Sequence, residues 1–312
     1  MKKIVVVGSS NTDLIIKVPE IPRPGETLLG NEFLTFPGGK GANQAVAAAR
    51  AGGEVVFVAA VGDDAYGKEA IKGYKLDNIN TEYIKICKGV PSGVAMITIA
   101  DNGENAITVA PGANARLDPE DLEEAEEPFQ EAEYMLIQLE TPLDTVQKAV
   151  ELCSELKTKV ILNPAPAAVL SDEILRHVNI ITPNETEVES LTGIVVTDEP
   201  GAAEAAEALH ERGIETVIIT MGSRGAYLSD TGSGASKMIP GFNVRAVDTT
   251  AAGDVFNGQL AVSLAEGKGL EQAVLEAHGA AAISVQKLGA QNSIPRREET
   301  CYFIEEQTKK SS

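Results

Sequence analysis

The chain has 312 residues and a formal net charge of −20, from 26 Lys and Arg against 46 Asp and Glu. So acidic a chain repels nucleic-acid backbones and anionic membranes, which excludes both as general partners, although one local pocket can still oppose the global field and take a phosphate. Hydrophobic residues make up 43%, enough to bury one large α/β core or two modest ones.

The opening "MKKIVVVGSSNTD" turns polar too soon for a secretory signal, and no stretch is apolar and long enough to span a bilayer. "KKIVVVG" reads as a buried first strand. Residues 12–36, around "PEIPRPGE", predict short strands and turns. A small, Ala-rich helix is expected from Gly41 to Ala51, then the strand "EVVFVAAVG" and the helix "AYGKEAIKGYKLDN". Residues 81–110 return to β character, with a hairpin across Asp101–Glu104. Regular alternation follows: helix "DPEDLEEAEEPF", strand "AEYMLIQLE", and a helix with Thr141 as cap and Pro142 at its first position. Strands "KVILNPA" and "VNIITPN", helices "ETEVESLTG" and "GAAEAAEALHERG", and strand "ETVIITMG" come next. A hairpin through Gly232 precedes three helices near 252–266, 270–286 and 298–308, and the tail "EEQTKKSS" reads as a frayed end. This alternation predicts an α/β fold: a doubly wound, mostly parallel sheet with helices on both faces, in one domain over 1–312. The segments 12–36 and 82–110 break the pattern and predict a small β-sheet lid. Cys87, Cys153 and Cys301 show no metal or redox spacing and read as reduced thiols of a cytosolic protein.

The stretch "AVDTTAAGDVFNGQL" places Asp248 and Asp254 around bare Thr, Ala and Gly at the start of a helix. The unpaired N–H groups of a first helical turn attract anions, and small residues let an oxyanion approach the amides of Ala251, Ala252, Gly253 and Asp254. Asp254 would then stand ready to take a proton from an attacking hydroxyl. A plain capped helix explains the same residues. "FPGGKGANQA" is a second Gly-rich helix entry, where Asn43 and the Gly39 amide suit sugar hydroxyls and Lys40 adds a cation; a flexible turn is the alternative. "GDDAYGKE" nearly matches a P-loop, but Glu69 replaces the Mg²⁺-binding hydroxyl and Asp63 and Asp64 repel phosphate, so it is rejected. No G-x-G-x-x-G follows the first strand, which disfavours a nicotinamide enzyme. Asn184 and Glu187 share one face of a helical turn and could hold hydrated Mg²⁺, or simply cap the helix. "TMGSRGAY" could cradle an adenine nucleotide or only turn the chain. His177 and His210 read as structural. His278 edges a nucleotide pocket or packs inside a helix.

The motifs "GSSNTD", "GGKGANQAVAAARAG", "NPAPA", "TPNETE", "TMGSRGAY", "DTTAAGDVFNG" and "GAQNSIP" resemble, in order and spacing, the ribokinase family of phosphofructokinase-B-like carbohydrate kinases. The similarity runs over essentially the whole chain. Gln259 departs from the family's signature, which usually has a small residue there. The resemblance implies phosphorylation of D-ribose at O5 by ATP. It implies a sugar site from Asn11, Thr12, Asp13, Gly39, Lys40, Gly41, Ala42, Asn43 and Glu140. Asp254 would be the base, with Ala251, Ala252 and Gly253 completing the anion hole. ATP would meet Asn184, Thr220, Met221, Gly222, Ser223, Arg224, Gly225, Gly253 and His278. Mg²⁺ would lie near Asn184 and Glu187 through water. K⁺ would be ringed by Asp248, Thr250, Ser284, Lys287, Gly289 and Ser293, mainly through carbonyls. A cytoplasmic homodimer paired through the lid is implied. The nearest rivals are family kinases of deoxyribose, a ketose, a nucleoside or a sugar acid. A non-catalytic sugar-binding protein is the rival from another class, and it has no need of a base at Asp254.

Overall fold

The computed structural model describes residues 3–311. Its strands are β1 Lys3–Val7, β2 Asn11–Val18, β3 Glu32–Gly38, β4 Glu54–Gly62, β5 Ile84–Cys87, β6 Gly93–Ala100, β7 Asn105–Ala110, β8 Ala132–Ile137, β9 Lys159–Leu162, β10 Ile180–Ile181, β11 Thr216–Thr220, β12 Ala226–Asp230 and β13 Ala235–Ile239. Its helices are α1 Lys40–Arg50, α2 Ala65–Leu76, α3 Pro119–Glu124, α4 Glu126–Glu131, α5 Leu143–Leu156, α6 Asp172–Leu175, α7 Glu185–Thr192, α8 Glu199–His210, α9 Ala252–Ala265, α10 Leu270–Ser284, α11 Ala290–Ser293 and α12 Arg297–Ser311.

Nine strands form one sheet in the order β13-β12-β11-β10-β9-β8-β1-β4-β5. From β5 to β11 every neighbouring pair is parallel, and β12 and β13 close the edge as antiparallel strands. Runs such as "IVVV" and "VVFVAAV" are apolar at successive positions because helices cover both faces of a parallel sheet. One face packs on α1, α9 and α10 through Val46, Phe256, Leu260 and Val274. The other packs on α3 to α8 through Leu122, Phe129, Val146 and Leu209. The chain leaves β1 toward β4 on one side and later returns to β8 on the other. Between β1 and β8 lies the switch point where open α/β sheets bind ligands beyond their carboxyl ends.

β3, β2, β6 and β7 form a separate four-stranded sheet. Within the segment 82–110, β5 belongs instead to the large sheet, where Ala59 to Gly62 pair with Ile84 to Cys87. The helix expected over 118–129 is two helices meeting at Ala125. Pro128 has no N–H to give the preceding turn, so one continuous helix cannot form. Pro142 is extended (ψ 139) and α5 starts at Leu143, so the hydroxyl of Thr141 is buried without a partner instead of capping. The tail is helical through Ser311, supported by acidic residues in the first turn of α12 and by Lys309 beside Glu306 at 3.2 Å. The rejected P-loop is a strand end and a cap: Asp64 accepts from the Gly67 amide at 2.9 Å.

Candidate active site

β1 ends and the chain crosses through Ser9 and Ser10 into β2, while β3 runs back to Gly39 and α1. Gly39 has φ 92, and a Cβ there would lie 2.7 Å from the Asn11 amide nitrogen. Only glycine fits where these two chain crossings touch. That junction brings the start of α1 under the end of β2. Glu140, just past β8, accepts at one carboxylate oxygen from both Ser9 Oγ (2.5 Å) and the Lys40 amide (3.0 Å).

Helices α1 and α9 pack closely because Gly258 has no side chain: a Cβ there would lie 2.5 Å from the Ala47 Cβ and 2.8 Å from the Gln44 carbonyl oxygen. The close approach lets two neighbours on α1 reach one carboxylate on α9. Asn43 Nδ2 donates to Asp254 Oδ2 and Gln44 Nε2 to Asp254 Oδ1, each at 3.0 Å. Burial pushes the Asp254 carboxyl above its usual range, opposed by Lys40 and by these two amides. Asn43 Oδ1 is buried without a partner, an acceptor awaiting a donor.

Asp254 lies in the first turn of α9, whose entry residue Ala251 holds a left-handed backbone (φ 62, ψ 8). A non-glycine residue there costs about 1 kcal/mol or more. The amides of Gly253 and Asp254 have no hydrogen-bond acceptor among the described residues, as an anion hole requires. The Ala252 amide does not join them, because it donates to the Thr249 carbonyl at 3.2 Å. Gly253 faces open space, with no atom within 4 Å of an added Cβ. These residues border a cavity of about 200 Å³ shared with Lys40, Asn163, Thr182, Asn184, Glu187, Thr220, Thr249 and Asn257.

Asn11 and Asp13 alternate onto one face of β2. Asn11 Oδ1 accepts from Asn114 Nδ2 at 2.7 Å. Burial, with Glu140 and Asp254 nearby, pushes the Asp13 carboxyl up to about 6 against the pull of Lys40. Burial alone would lower the Lys40 ammonium, but Asp254, Glu140, Glu187 and Asp13 outweigh it and hold it raised.

Asn184 and Glu187 form a reciprocal cap at the start of α7. Glu187 Oε2 accepts from the Asn184 amide at 2.9 Å, Glu187 Oε1 from Asn184 Nδ2 at 3.0 Å, and Asn184 Oδ1 from the Glu187 amide at 2.9 Å. The capping alternative is therefore realised, and both residues still border the cavity. Thr220 borders it too, but Met221 is buried in the core and Arg224 turns away to Glu185 and the Thr197 carbonyl. Gly222–Arg224 form a short 3-10 turn, followed by Gly225, off the cavity. His278 also lies off it, buried edge-on against Phe256 with ring centres 5.1 Å apart, and burial pushes its pKa down to about 4. His210 is structural, held between the Ile214 carbonyl and Ser229 Oγ at 2.8 Å each.

Asp248 joins the two segments expected to ring a monovalent cation. Its oxygens accept from the Thr250 and Gly289 amides at 2.9 Å each. Burial opposes its charge, but these bonds prevail and hold its carboxyl below the usual range. Ser284 and Ser293 bond carbonyls of their own helices, and the Lys287 ammonium pairs with Glu299. Gln259, the departure from the family pattern, is absorbed locally by Ser263 Oγ at 3.0 Å.

Sequence reasoning missed Gln44, Asn114, Gln138, Asn163, Thr182 and Asn257. Gln44 follows Asn43 inside the quoted Gly-rich motif, and Asn163 opens "NPAPA", so those two carried a signal. Asn114 carried none.

The model of the pfkB family of carbohydrate kinases matches residues 1–297. A ribokinase of Haemophilus influenzae is 46% identical over 304 residues, covering 97% of this chain and 99% of that protein. The crystal structure of a Thermotoga maritima ribokinase superposes with a TM-score of 0.89 at 40% identity, covering 98% of this chain and all of that one. The structure of Arabidopsis thaliana ribokinase complexed with ribose and ATP gives a TM-score of 0.92 at 30% identity, over 97% of this chain and 98% of that one. A carboxylate beside free helix N-terminal amides, in a chain matched almost end to end, leads to one assignment: this chain belongs to the pfkB family of carbohydrate kinases.

Proposed function

We propose that the chain transfers the γ-phosphoryl group of ATP to O5 of D-ribose, giving D-ribose 5-phosphate. One observation carries the reading: the buried Asp254 carboxylate stands between a set of sugar-binding groups and a helix N-terminus with free amides. The relatives compared above are ribokinases, one of them complexed with ribose and ATP.

The sugar lies among Asn11, Asp13, Gly39, Lys40, Asn43 and Glu140, where hydroxyls supply the missing donor to Asn43 Oδ1. Asp254 takes the proton of the 5-hydroxyl as that oxygen attacks the γ-phosphorus. The Gly253 and Asp254 amides meet the equatorial oxygens, where charge grows in the transition state. The nucleotide follows the cavity toward Asn184 and Thr220. Each Glu187 oxygen keeps one lone pair beyond its capping bond, which suits contact with Mg²⁺ through water. When bound, Mg²⁺ would neutralise phosphate charge. Asp248, ionised and fixed between Thr250 and Gly289, suits a K⁺ site beside the anion loop.

The small sheet serves as the lid. One of its faces leaves Ile16, Phe33 and Met96 exposed, and a second copy of this chain covers such a surface in a homodimer. The three cysteines are unpaired, which fits a reducing cytoplasm. No helix of the described residues is long and apolar enough to cross a membrane.

Competition kinetics test the substrate. D-Ribose should be preferred to 2-deoxy-D-ribose by at least about tenfold, because one unpaired buried polar group costs about 1–3 kcal/mol. Asn11→Met should narrow that preference. Preference for deoxyribose or adenosine in the wild type would overturn the ribose assignment and leave the kinase reading intact.

A further inference from the structure

Gln44 takes no part in the proposed reaction, yet both ends of its side-chain amide are bonded inside the site. It is fully buried. Its Nε2 donates to Asp254 Oδ1 at 3.0 Å and to Asn163 Oδ1 at 3.1 Å, and its Oε1 accepts from Gln138 Nε2 at 2.7 Å. Turning the amide over would set an oxygen against two acceptors, so its orientation is fixed. From Asn163 the bonds continue to the Thr182 carbonyl at 3.2 Å. Thr182 Oγ1 donates to Asn257 Oδ1 at 2.7 Å, and Asn257 Nδ2 to the Gly253 carbonyl at 2.8 Å. The network therefore starts at the Asp254 carboxylate and returns to the peptide next to Asp254. It ties the side chain of the base to the turn that offers the anion-binding amides.

We propose that Gln44 is a positioning residue for phosphoryl transfer, holding the Asp254 carboxylate in register with the Gly253 turn. The proposal rests on Asp254 acting as the base. Asn43 holds one carboxylate oxygen, and a single bond only weakly resists rotation about the last torsion. Gln44 binds the second oxygen and stops that rotation. Other charges also face Asp254: Lys40 from α1, Glu140 from beyond β8, Asp13 from β2 and Glu187 from α7. None of these bonds its oxygens. Loss of the Gln44 donor both frees the carboxylate and raises its affinity for a proton.

The test uses Gln44→Met, close in length and without a donor, on the full-length enzyme with ATP and whichever sugar the wild type turns over best. The expected result is a kcat lower by about tenfold to a hundredfold, the scale of a misplaced reacting group, with the sugar KM within about threefold. The acid limb of the kcat–pH profile should move up by about one unit. In the Asp254→Asn background, Gln44→Met should cost little further, since it acts through the carboxylate. A folded Gln44→Met with unchanged kcat and acid limb would overturn the proposal. So would a loss that recurs in full on top of Asp254→Asn, the mark of a merely structural role. Should Gln44→Met fail to fold, Gln138→Met releases the Gln44 amide from its far side and should move kcat and the acid limb the same way by less; no movement there overturns the proposal too. Near-wild-type turnover in Asp254→Asn itself would instead sink the base assignment, whatever Gln44 does.

Discussion

Asn114 Nδ2 donates to Asn11 Oδ1 at 2.7 Å, and Asn114 Oδ1 accepts from the Ser10 amide at 2.8 Å. That bond fixes which way the Asn11 amide faces and leaves its NH₂ group free to donate to a ligand. Beside it, Asp13 offers acceptor oxygens while ionised. The pair therefore reads a hydroxyl from both sides, one partner giving a proton and the other taking one. Asn114→Leu should free the Asn11 amide to turn, raising the sugar KM by about tenfold with kcat less affected. Steady-state kinetics on the folded variant decide it, and an unchanged KM would remove Asn114 from specificity.

Asp254→Asn should keep the fold and sugar binding and lower kcat by about 10²–10⁴, the usual range for loss of a general base. Tryptophan is absent from the chain, so sugar binding is best followed by calorimetry. A folded variant with near-wild-type turnover would take the role away from Asp254.

Asp13 carries a stability cost with a defined pH window. Its carboxyl is pushed from the ordinary 3.8 to about 6 by burial and by Glu140 and Asp254. The folded state then binds the proton more tightly than the unfolded chain, so stability falls as pH rises from about 4 to 6. The full cost, up to about 3 kcal/mol at 1.36 kcal/mol per unit, stands at pH 7. Asp13→Asn should therefore raise the Tm of the sugar-free enzyme by a few degrees at pH 7 and by less at pH 5, while impairing use of the sugar. Thermal melts at both pH values check this. A Tm gain of equal size at the two would show that the carboxyl's charge is not its source.

Asp248 holds Thr250 and Gly289 together, so a cation beside it acts on the loop that leads to Ala251. Activity in K⁺ should exceed activity in tetramethylammonium at equal ionic strength and fixed Mg²⁺. Matching initial rates in the two buffers would count against the site.

The α/β architecture and most of the candidate residues were legible along the chain. Short apolar runs such as "VVFVAAV" and "KIVVV", alternating with helical segments, point to parallel strands covered on both faces. Small residues before Asp254 announced a helix start open to an anion, because that chemistry is local. Tertiary structure alone decided what depends on long-range contact. Asn43 and Gln44 reach Asp254 from 211 and 210 residues away, since Gly258 lets two helices close together. Asn114 meets Asn11 across 103 residues, with no motif to announce it. The place of β5 at the edge of the large sheet likewise followed from strand pairing that periodicity does not encode, whereas the break at Ala125, three residues before Pro128, is local backbone chemistry that a reading by periodicity passed over. A side chain's type can be read along the chain, but its partner is set by which surfaces the folded core presses together.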